Sequence, residues 1–220
     1  KIWMIWRSGY EENNQVKLDL IRRSYSDLAA CAVKFLKNFN PGKEIPVPIE
    51  EILECDFHIN VIPLPGMQEA FRAVSFISCD LKHIWIDEFV LERRPARLRF
   101  SLAHELSHAI LHQDFFKKCS FRDVDSWKET LNSIDDGEYT WLEYQANALA
   151  GLILVPQDEL HARLKRAIAK AKQQGLSIAD SNTIDVAKDY VASALAKEFL
   201  VSPEVICKRM DKDKIWPPNN

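Results

Sequence analysis

Two histidines and a glutamate lie within five consecutive positions of the chain, His104-Glu105-Leu106-Ser107-His108. Residues four positions apart on an α-helix lie about one turn apart on the same face, so both imidazoles can bind one ion. Zinc binds such nitrogens at about 2.1 Å and lowers the pKa of a bound water toward roughly 7. Glu105 lies beside this face and can take the proton of that water without binding the metal. The pattern therefore predicts a catalytic zinc site, with His104 and His108 as ligands and Glu105 as general base.

A catalytic zinc site needs a third protein ligand and one open position. His112 lies eight residues from His104, about 12 Å along the helix axis, and two ligands of one ion cannot be that far apart. We therefore expect His112 to be a core residue or to support a ligand. Glu143 is a better third ligand, and it shares a predicted helix face with Asn147, which we expect to support the site. Three acidic residues near the start of the same helix are alternative candidates for the third ligand on the sequence alone: Asp135, Asp136 and Glu138.

The elements that must position these residues are two helices and a small sheet. The helix with the two histidines is predicted over residues 96–112, after Pro95, and the helix with Glu143 over residues 138–154. Between them, residues 114–137 are acidic and are predicted to be irregular. Three short segments rich in β-branched and aromatic residues predict a three-stranded antiparallel or mixed sheet: residues 57–62, 73–79 and 84–89. Further helices are predicted over residues 16–39, 49–55, 156–175, 184–199 and 202–210. The fold class is therefore α+β.

Composition narrows the class of protein further. The 220 residues, 47% of them hydrophobic, suit one globular domain with an extension. The net charge of −3 gives no general attraction to nucleic acid, and no apolar stretch is long enough to cross a membrane. The five cysteines form no CxxC pair, which favours a reducing, cytoplasmic setting. The six glycines are too far apart for a GxGxxG or GxxxxGK[ST] phosphate loop.

Around these residues the chain resembles the ImmA/IrrE family of bacterial metallopeptidases. The similarity runs through residues 98–108, the pair Leu111-His112, residues 143–147 and residues 152–156, in the order that is typical of the family. Ser107 replaces the usual glycine, and it removes no catalytic group. Several spaced blocks in one order are more specific than the HExxH pentapeptide alone.

The resemblance implies a minimal zincin-like fold in which His104, His108 and Glu143 bind zinc and Glu105 is the catalytic base. It implies that the substrate is a helix-turn-helix repressor, which is cut to derepress genes. It also suggests that strand 84–89 is an edge strand along which the substrate docks. The acidic segment 114–137 looks long for the family, and we expect it to be a lid or a substrate-selecting loop.

The predicted organisation is an N-terminal helical extension over residues 1–45 and a zincin-like domain over residues 46–211. The domain includes the acidic insertion 114–137 and C-terminal helices over 184–211, where Leu200 stands at a turn position that normally favours glycine. The predicted function is a cytoplasmic zinc-dependent endopeptidase with a protein substrate and without direct nucleic-acid or membrane contacts. The alternative is a non-catalytic, zinc-containing module that binds DNA or protein. Three residues are possible oxyanion stabilisers: Tyr139, Tyr144 and His83.

Overall fold

The computed structural model describes residues 20–121, 123–176 and 183–217. Within these ranges the helices are α1 (Tyr25–Phe39), α2 (Ile49–Glu51), α3 (Met67–Phe71), α4 (Glu88–Arg93), α5 (Pro95–Leu111), α6 (Gln113–Phe116), α7 (Val124–Ser133), α8 (Asp136–Leu154), α9 (Gln157–Gln173), α10 (Ile184–Phe199) and α11 (Pro203–Lys212). A π-helical turn, Ile52–Asp56, continues α2, and the strands are β1 (Asn60–Leu64), β2 (Ser75–Ile77) and β3 (His83–Asp87). The chain is mostly helical with one small mixed sheet, which confirms the α+β class.

The sheet has the strand order β1-β3-β2, so β3 lies in its middle. β3 runs parallel to β1 and antiparallel to β2. The prediction of an edge strand at residues 84–89 is therefore wrong, because β3 has hydrogen-bonded neighbours on both sides. Its buried isoleucines, Ile84 and Ile86, suit such a central strand. β2 is an outer strand of this sheet, and it packs against α5.

Helices α5 and α8 form the centre of the molecule and pack against each other. α5 begins with Pro95, whose missing N–H costs nothing in the first turn of a helix. Every residue of α5 from Ser101 to Ala109 is buried, so this helix is enclosed on all faces. α8 is buried from Leu149 to Leu154, and its small residue Ala146 is fully buried as well. Both helices that carry the predicted ligands therefore have a large buried part.

Two predicted segments differ from the structure. The helix predicted from residue 16 begins at Tyr25, because Ser24 and Asp27 form a capping box that sets its first turn. Residues 1–19, the first part of the predicted extension, lie outside the described residues. The segment 114–137 is not irregular: it contains most of α6 and all of α7, and α7 starts with a capping box between Asp123 and Ser126.

The C-terminal helices pack on one another and on α8. Leu200 ends α10 in the left-handed conformation, with φ 53° and ψ 52°, at the position where glycine is normally preferred. Arg209 of α11 is buried and donates hydrogen bonds to the backbone carbonyls of Gly151 and Val155, at the end of α8. Across the described ranges, we find no helix with the length and apolar character that crossing a bilayer would require.

Candidate metal centre

The side chains of His104, His108 and Glu143 converge between α5 and α8. The Nε2 atoms of the two histidines lie 3.1 Å apart, and the Glu143 carboxylate lies 3.4 Å from His104 Nε2 and 3.5 Å from His108 Nε2. All three ligand atoms lie within 4.8 Å of one another. Two imidazole nitrogens and one carboxylate, with bonds of about 2.1 Å, are a donor set that zinc accepts. The residues present therefore fit a zinc ion.

The charges of this cluster are coupled because the cluster is enclosed. Burial opposes a charge on Glu143, but His104 and His108 outweigh it and hold the pKa of Glu143 below its usual range. Burial also opposes a charge on His104, and the attraction of Glu143 outweighs it and raises the pKa of His104. The site therefore favours a positive charge between the histidines and Glu143. A divalent cation supplies that charge in place of a proton.

His112 lies behind His108, outside the group of three ligand atoms. Its Nδ1 is 3.0 Å from His108 Nδ1, and both rings are buried. Burial lowers the pKa of His112 to about 2, so this ring stays neutral. A histidine that binds metal through Nε2 carries its proton on Nδ1, and His112 Nδ1 is placed to accept that proton's hydrogen bond. The contact suits the supporting position that the sequence predicts.

Asn147 lies on α8, one turn after Glu143, and it interacts with Glu143 and with His104 of α5. Its side-chain amide donates to the backbone carbonyl of Glu143 at 2.7 Å. The nearby Asn147 side chain also favours the charged form of His104 and so contributes, after Glu143, to the raised pKa of His104. Asn147 therefore lies where it can support both a ligand of α8 and a ligand of α5.

Glu105 lies beside the ligand cluster and is not one of the three converging groups. Only 4% of the residue is exposed, and its Oε1 accepts a hydrogen bond from the hydroxyl of Ser75 at 2.6 Å. Ser75 belongs to β2 and was not singled out by the sequence, because one serine in a short strand carries no recognisable pattern. The cavity at the site is lined by both residues as well as by the three candidate ligands.

That cavity is small and is covered by the acidic segment. Its volume is about 30 Å³, which is room for about one water molecule. Five apolar side chains of the segment after α5 line it: Phe115, Phe116, Phe121, Trp127 and Leu131. The Trp127 ring of α7 stacks on Phe76 of β2 at 5.0 Å between centroids. The side chains of this segment therefore narrow the approach to the ligand cluster.

The remaining predicted residues lie in different surroundings. Asp135 caps α8, Glu138 forms an ion pair with Arg22, and Asp136 is exposed in the first turn of α8. Of the possible oxyanion stabilisers, Tyr139 lines the cavity, one turn before Glu143. Tyr144 lines a separate groove on another face of α8, and His83 lies 3.7 Å from the exposed Asp80. The structure therefore brings Glu143, and not its three rivals, to the histidines.

Comparison with known proteins places this site in a family. The chain belongs to the IrrE N-terminal-like domain family, Peptidase_M78, whose model matches residues 56–211. This confirms the family resemblance that the sequence motifs indicate. The family is one of peptidases, typically metal-dependent, and the His-His-Glu cluster lies within the matched region.

A solved structure of similar fold is a Mycobacterium tuberculosis transcriptional regulator, with 17% sequence identity and a TM-score of 0.52. The match covers 84% of this chain and 55% of the regulator, so the chain spans about half of that protein's length. At this identity the likeness concerns the fold alone. A comparison with curated protein sequences gives no match.

Proposed function

We propose that this protein is a zinc-dependent endopeptidase in which His104, His108 and Glu143 hold the metal and Glu105 is the general base. The observation that carries the proposal is the convergence of three ligand atoms within 4.8 Å, beside a buried carboxylate that is not one of them. Burying a carboxylate costs free energy. A zinc site with only a structural role would gain nothing from Glu105, a buried carboxylate that does not bind the metal, whereas a catalytic site needs it as a base.

The residues divide the chemistry between them. A zinc ion held by His104, His108 and Glu143 would lower the pKa of a water molecule and polarise the carbonyl of the peptide bond. Glu105 takes the proton of the attacking water and delivers it to the leaving amine. Its Oε1 is engaged by Ser75, so Oε2 is the atom that carries the proton. His112 and Asn147 hold His108 and His104 in the orientation that ligation requires.

Access to the site depends on the covering segment. Because the cavity has a volume of about 30 Å³, α7 must move before a polypeptide reaches Glu105. Every residue of α7 is at least partly exposed, which is typical of an element that opens at low cost. We therefore assign residues 114–137 the role of a lid.

The proposed substrate is a helix-turn-helix repressor in the cytoplasm. Membership of a peptidase family and the fold shared with a transcriptional regulator both support a role in the control of transcription. Such an enzyme acts on the repressor protein and needs no contact of its own with nucleic acid. This substrate class is the most specific part of the proposal, and a helix-turn-helix repressor encoded by a neighbouring gene is the first to test.

The experiment compares zinc content and cleavage of that repressor for native protein, Glu105→Gln and His104→Ala. We expect Glu105→Gln to keep zinc and to cleave at least about 100-fold more slowly, and His104→Ala to lose both zinc and cleavage. Glu92→Gln, at an exposed glutamate of α4, is the matched control and keeps both. A zinc-loaded Glu105→Gln protein that cleaves as fast as the native protein would overturn the assignment of the base.

The second candidate function is a non-catalytic regulatory module that holds zinc and binds DNA or protein. The closed cavity favours it, because the ligand cluster is covered in this conformation. Gel-shift binding to operator DNA, together with no proteolysis of the repressor by zinc-loaded native protein, would establish this alternative and exclude the first.

A further inference from the structure

Ser75 makes a buried contact with the candidate base that the zinc chemistry alone does not require. Its hydroxyl donates to Glu105 Oε1 at 2.6 Å, a short distance that is typical of a hydroxyl bound to a carboxylate. Ser75 is 2% exposed and Glu105 is 4% exposed. The two residues are 30 positions apart and lie on different elements, so the contact exists only because β2 packs against α5.

We propose that Ser75 is a positioning residue, which fixes the Glu105 carboxylate in the orientation that a general base needs. The proposal rests on the function proposed above. A glutamate side chain has three rotatable bonds, and small errors in the position of a base reduce the rate strongly. Ser75 engages one carboxylate oxygen and leaves the other to serve the cavity that both residues line.

The strand that carries Ser75 is itself held in place. Ser75 is paired with Ile86 of the central strand β3, and the neighbouring Phe76 lies against Trp85 at 6.2 Å between ring centroids. The backbone N–H of Asp87 also donates to the carbonyl of Val74 at 2.9 Å, just before Ser75. The Ser75 hydroxyl therefore lies on a strand that is held in place by its neighbours. A supporting group on a rigid element can hold a catalytic side chain within a narrow range of positions.

A purely structural explanation is that Ser75 only satisfies a buried acid. The two explanations differ in what they predict for the chemical step. A structural partner affects stability alone, whereas a positioning residue affects the turnover rate while substrate binding and metal content stay unchanged.

The kinetic test uses the zinc-loaded full chain, with native protein, Ser75→Ala, Ser75→Thr and the control Ser101→Ala. Ser101 is a buried serine of α5 that does not line the cavity. Zinc content, kcat and KM are measured with the repressor as substrate. We expect Ser75→Ala to lower kcat about 10- to 100-fold, with KM and zinc content unchanged. Ser75→Thr, which keeps a hydroxyl, restores most of kcat, and Ser101→Ala keeps the native values.

The second measurement is made on metal-free protein and does not depend on turnover. Ser75→Ala is combined with Glu105→Ala, and the unfolding temperature is measured for both single variants and the double variant. We expect Ser75→Ala to lower the unfolding temperature in the native background and to have little further effect in Glu105→Ala. Equal shifts in both backgrounds would overturn the contact on which the proposal depends.

The outcomes also separate this proposal from the proposed function. If zinc-loaded native protein cleaves and Ser75→Ala cleaves with the same kcat, only the positioning role is wrong. If zinc-loaded native protein cleaves no protein substrate, the endopeptidase function is wrong, and the positioning role fails with it.

Discussion

The hydroxyl of Tyr25 donates a hydrogen bond to Oδ1 of Asp213 at 2.7 Å, across 188 positions of the chain. The other carboxylate oxygen of Asp213 accepts from Arg209 at 2.7 Å. Arg209 also donates to carbonyls at the end of α8, the helix that carries Glu143. The buried pair of Arg209 and Asp213 therefore links α1 and α11 to the C-terminal end of α8.

Replacing Arg209 by methionine should destabilise the protein strongly. The substitution keeps side-chain volume but leaves the buried Asp213 carboxylate without its cation, which typically costs about 3–5 kcal/mol. Urea unfolding measures the difference. Arg166→Met is the control, because Arg166 is 65% exposed on α9 and should cost less than about 0.5 kcal/mol. Equal losses for the two variants would contradict the proposed role of the ion pair.

The Tyr25 contact should give the protein an alkaline stability limit. Burial, and then the hydrogen bond to Asp213, raise the pKa of Tyr25 from 10.0 to about 12, with Arg209 opposing them. A raised pKa means that the folded state favours the protonated phenol. The contribution is therefore complete below pH 10 and is lost as the pH rises from 10 to about 12.

The measurement is urea unfolding at several pH values between 8 and 12, on native protein and Tyr25→Phe. Since Tyr25 is only partly buried, we expect the native protein to lose about 1 kcal/mol more than the variant over this interval. Parallel curves for the two proteins would contradict the prediction.

Removal of metal should lower the unfolding temperature. At a free zinc concentration of about 100 times Kd, binding to the folded state contributes about 2.7 kcal/mol. For a chain of this size, that corresponds to a shift of about 5–10 °C between zinc-loaded and chelator-treated protein. Glu143→Gln should show a much smaller shift, since it lacks the carboxylate ligand. An unchanged unfolding temperature after chelation of the native protein would argue against a bound metal.

The two tyrosines of α8 offer a matched pair for the oxyanion role. Tyr139 lines the cavity and Tyr144 lies on another face under Lys212, whose Nζ is 5.3 Å from the ring centroid. We expect Tyr139→Phe to reduce kcat about 100-fold, the usual effect of removing one oxyanion donor. Tyr144→Phe should leave kcat unchanged. The decisive measurement is the difference in kcat between the two variants. Equal kcat values would show that Tyr139 is not an oxyanion donor.

The lid can be tested at Trp127. Trp127→Ala removes the ring that stacks on Phe76 and should raise the cleavage rate several-fold by favouring the open conformation. Phe89→Ala is a control that removes an aromatic side chain, 54% exposed, outside the cavity. Limited proteolysis should cut residues 117–133 faster in Trp127→Ala than in native protein. If the added protease cuts residues 117–133 faster in Trp127→Ala but the variant cleaves its substrate no faster than native protein, then α7 covers the site without limiting turnover.

The parts of the site that depend on one helix could be predicted from the sequence. The bounds of α5 agree with the predicted helix within one residue at each end, because Pro95 marks its start. The side-by-side placement of His104 and His108 follows from helix geometry alone. The third ligand could not be assigned from spacing alone, because Asp135 was also a candidate. The family resemblance favoured Glu143.

Features that depend on packing between distant segments could not be predicted. The contact of Ser75 with Glu105 joins a strand to a helix, and neither local sequence contains a signal for the other. The family resemblance suggested that β3 is an edge strand, and this was wrong. The local residue pattern could not correct it, because such a pattern predicts that a strand exists and not which strands lie beside it. The helix α7 did have a local signal, the capping box of Asp123 and Ser126, which an acidic composition obscured.

The contact of His104 with Glu143 has a topological consequence for the lid. It ties α5 to α8 and closes the chain between them into a ring of backbone that contains α6 and α7. Both ends of that ring are anchored at the same point, so we expect the proposed lid to be able to move without displacing α8. A metal ion at this point would strengthen the link that closes the ring. Because closing a loop of chain costs conformational entropy, metal binding and the mobility of residues 114–137 would then influence each other.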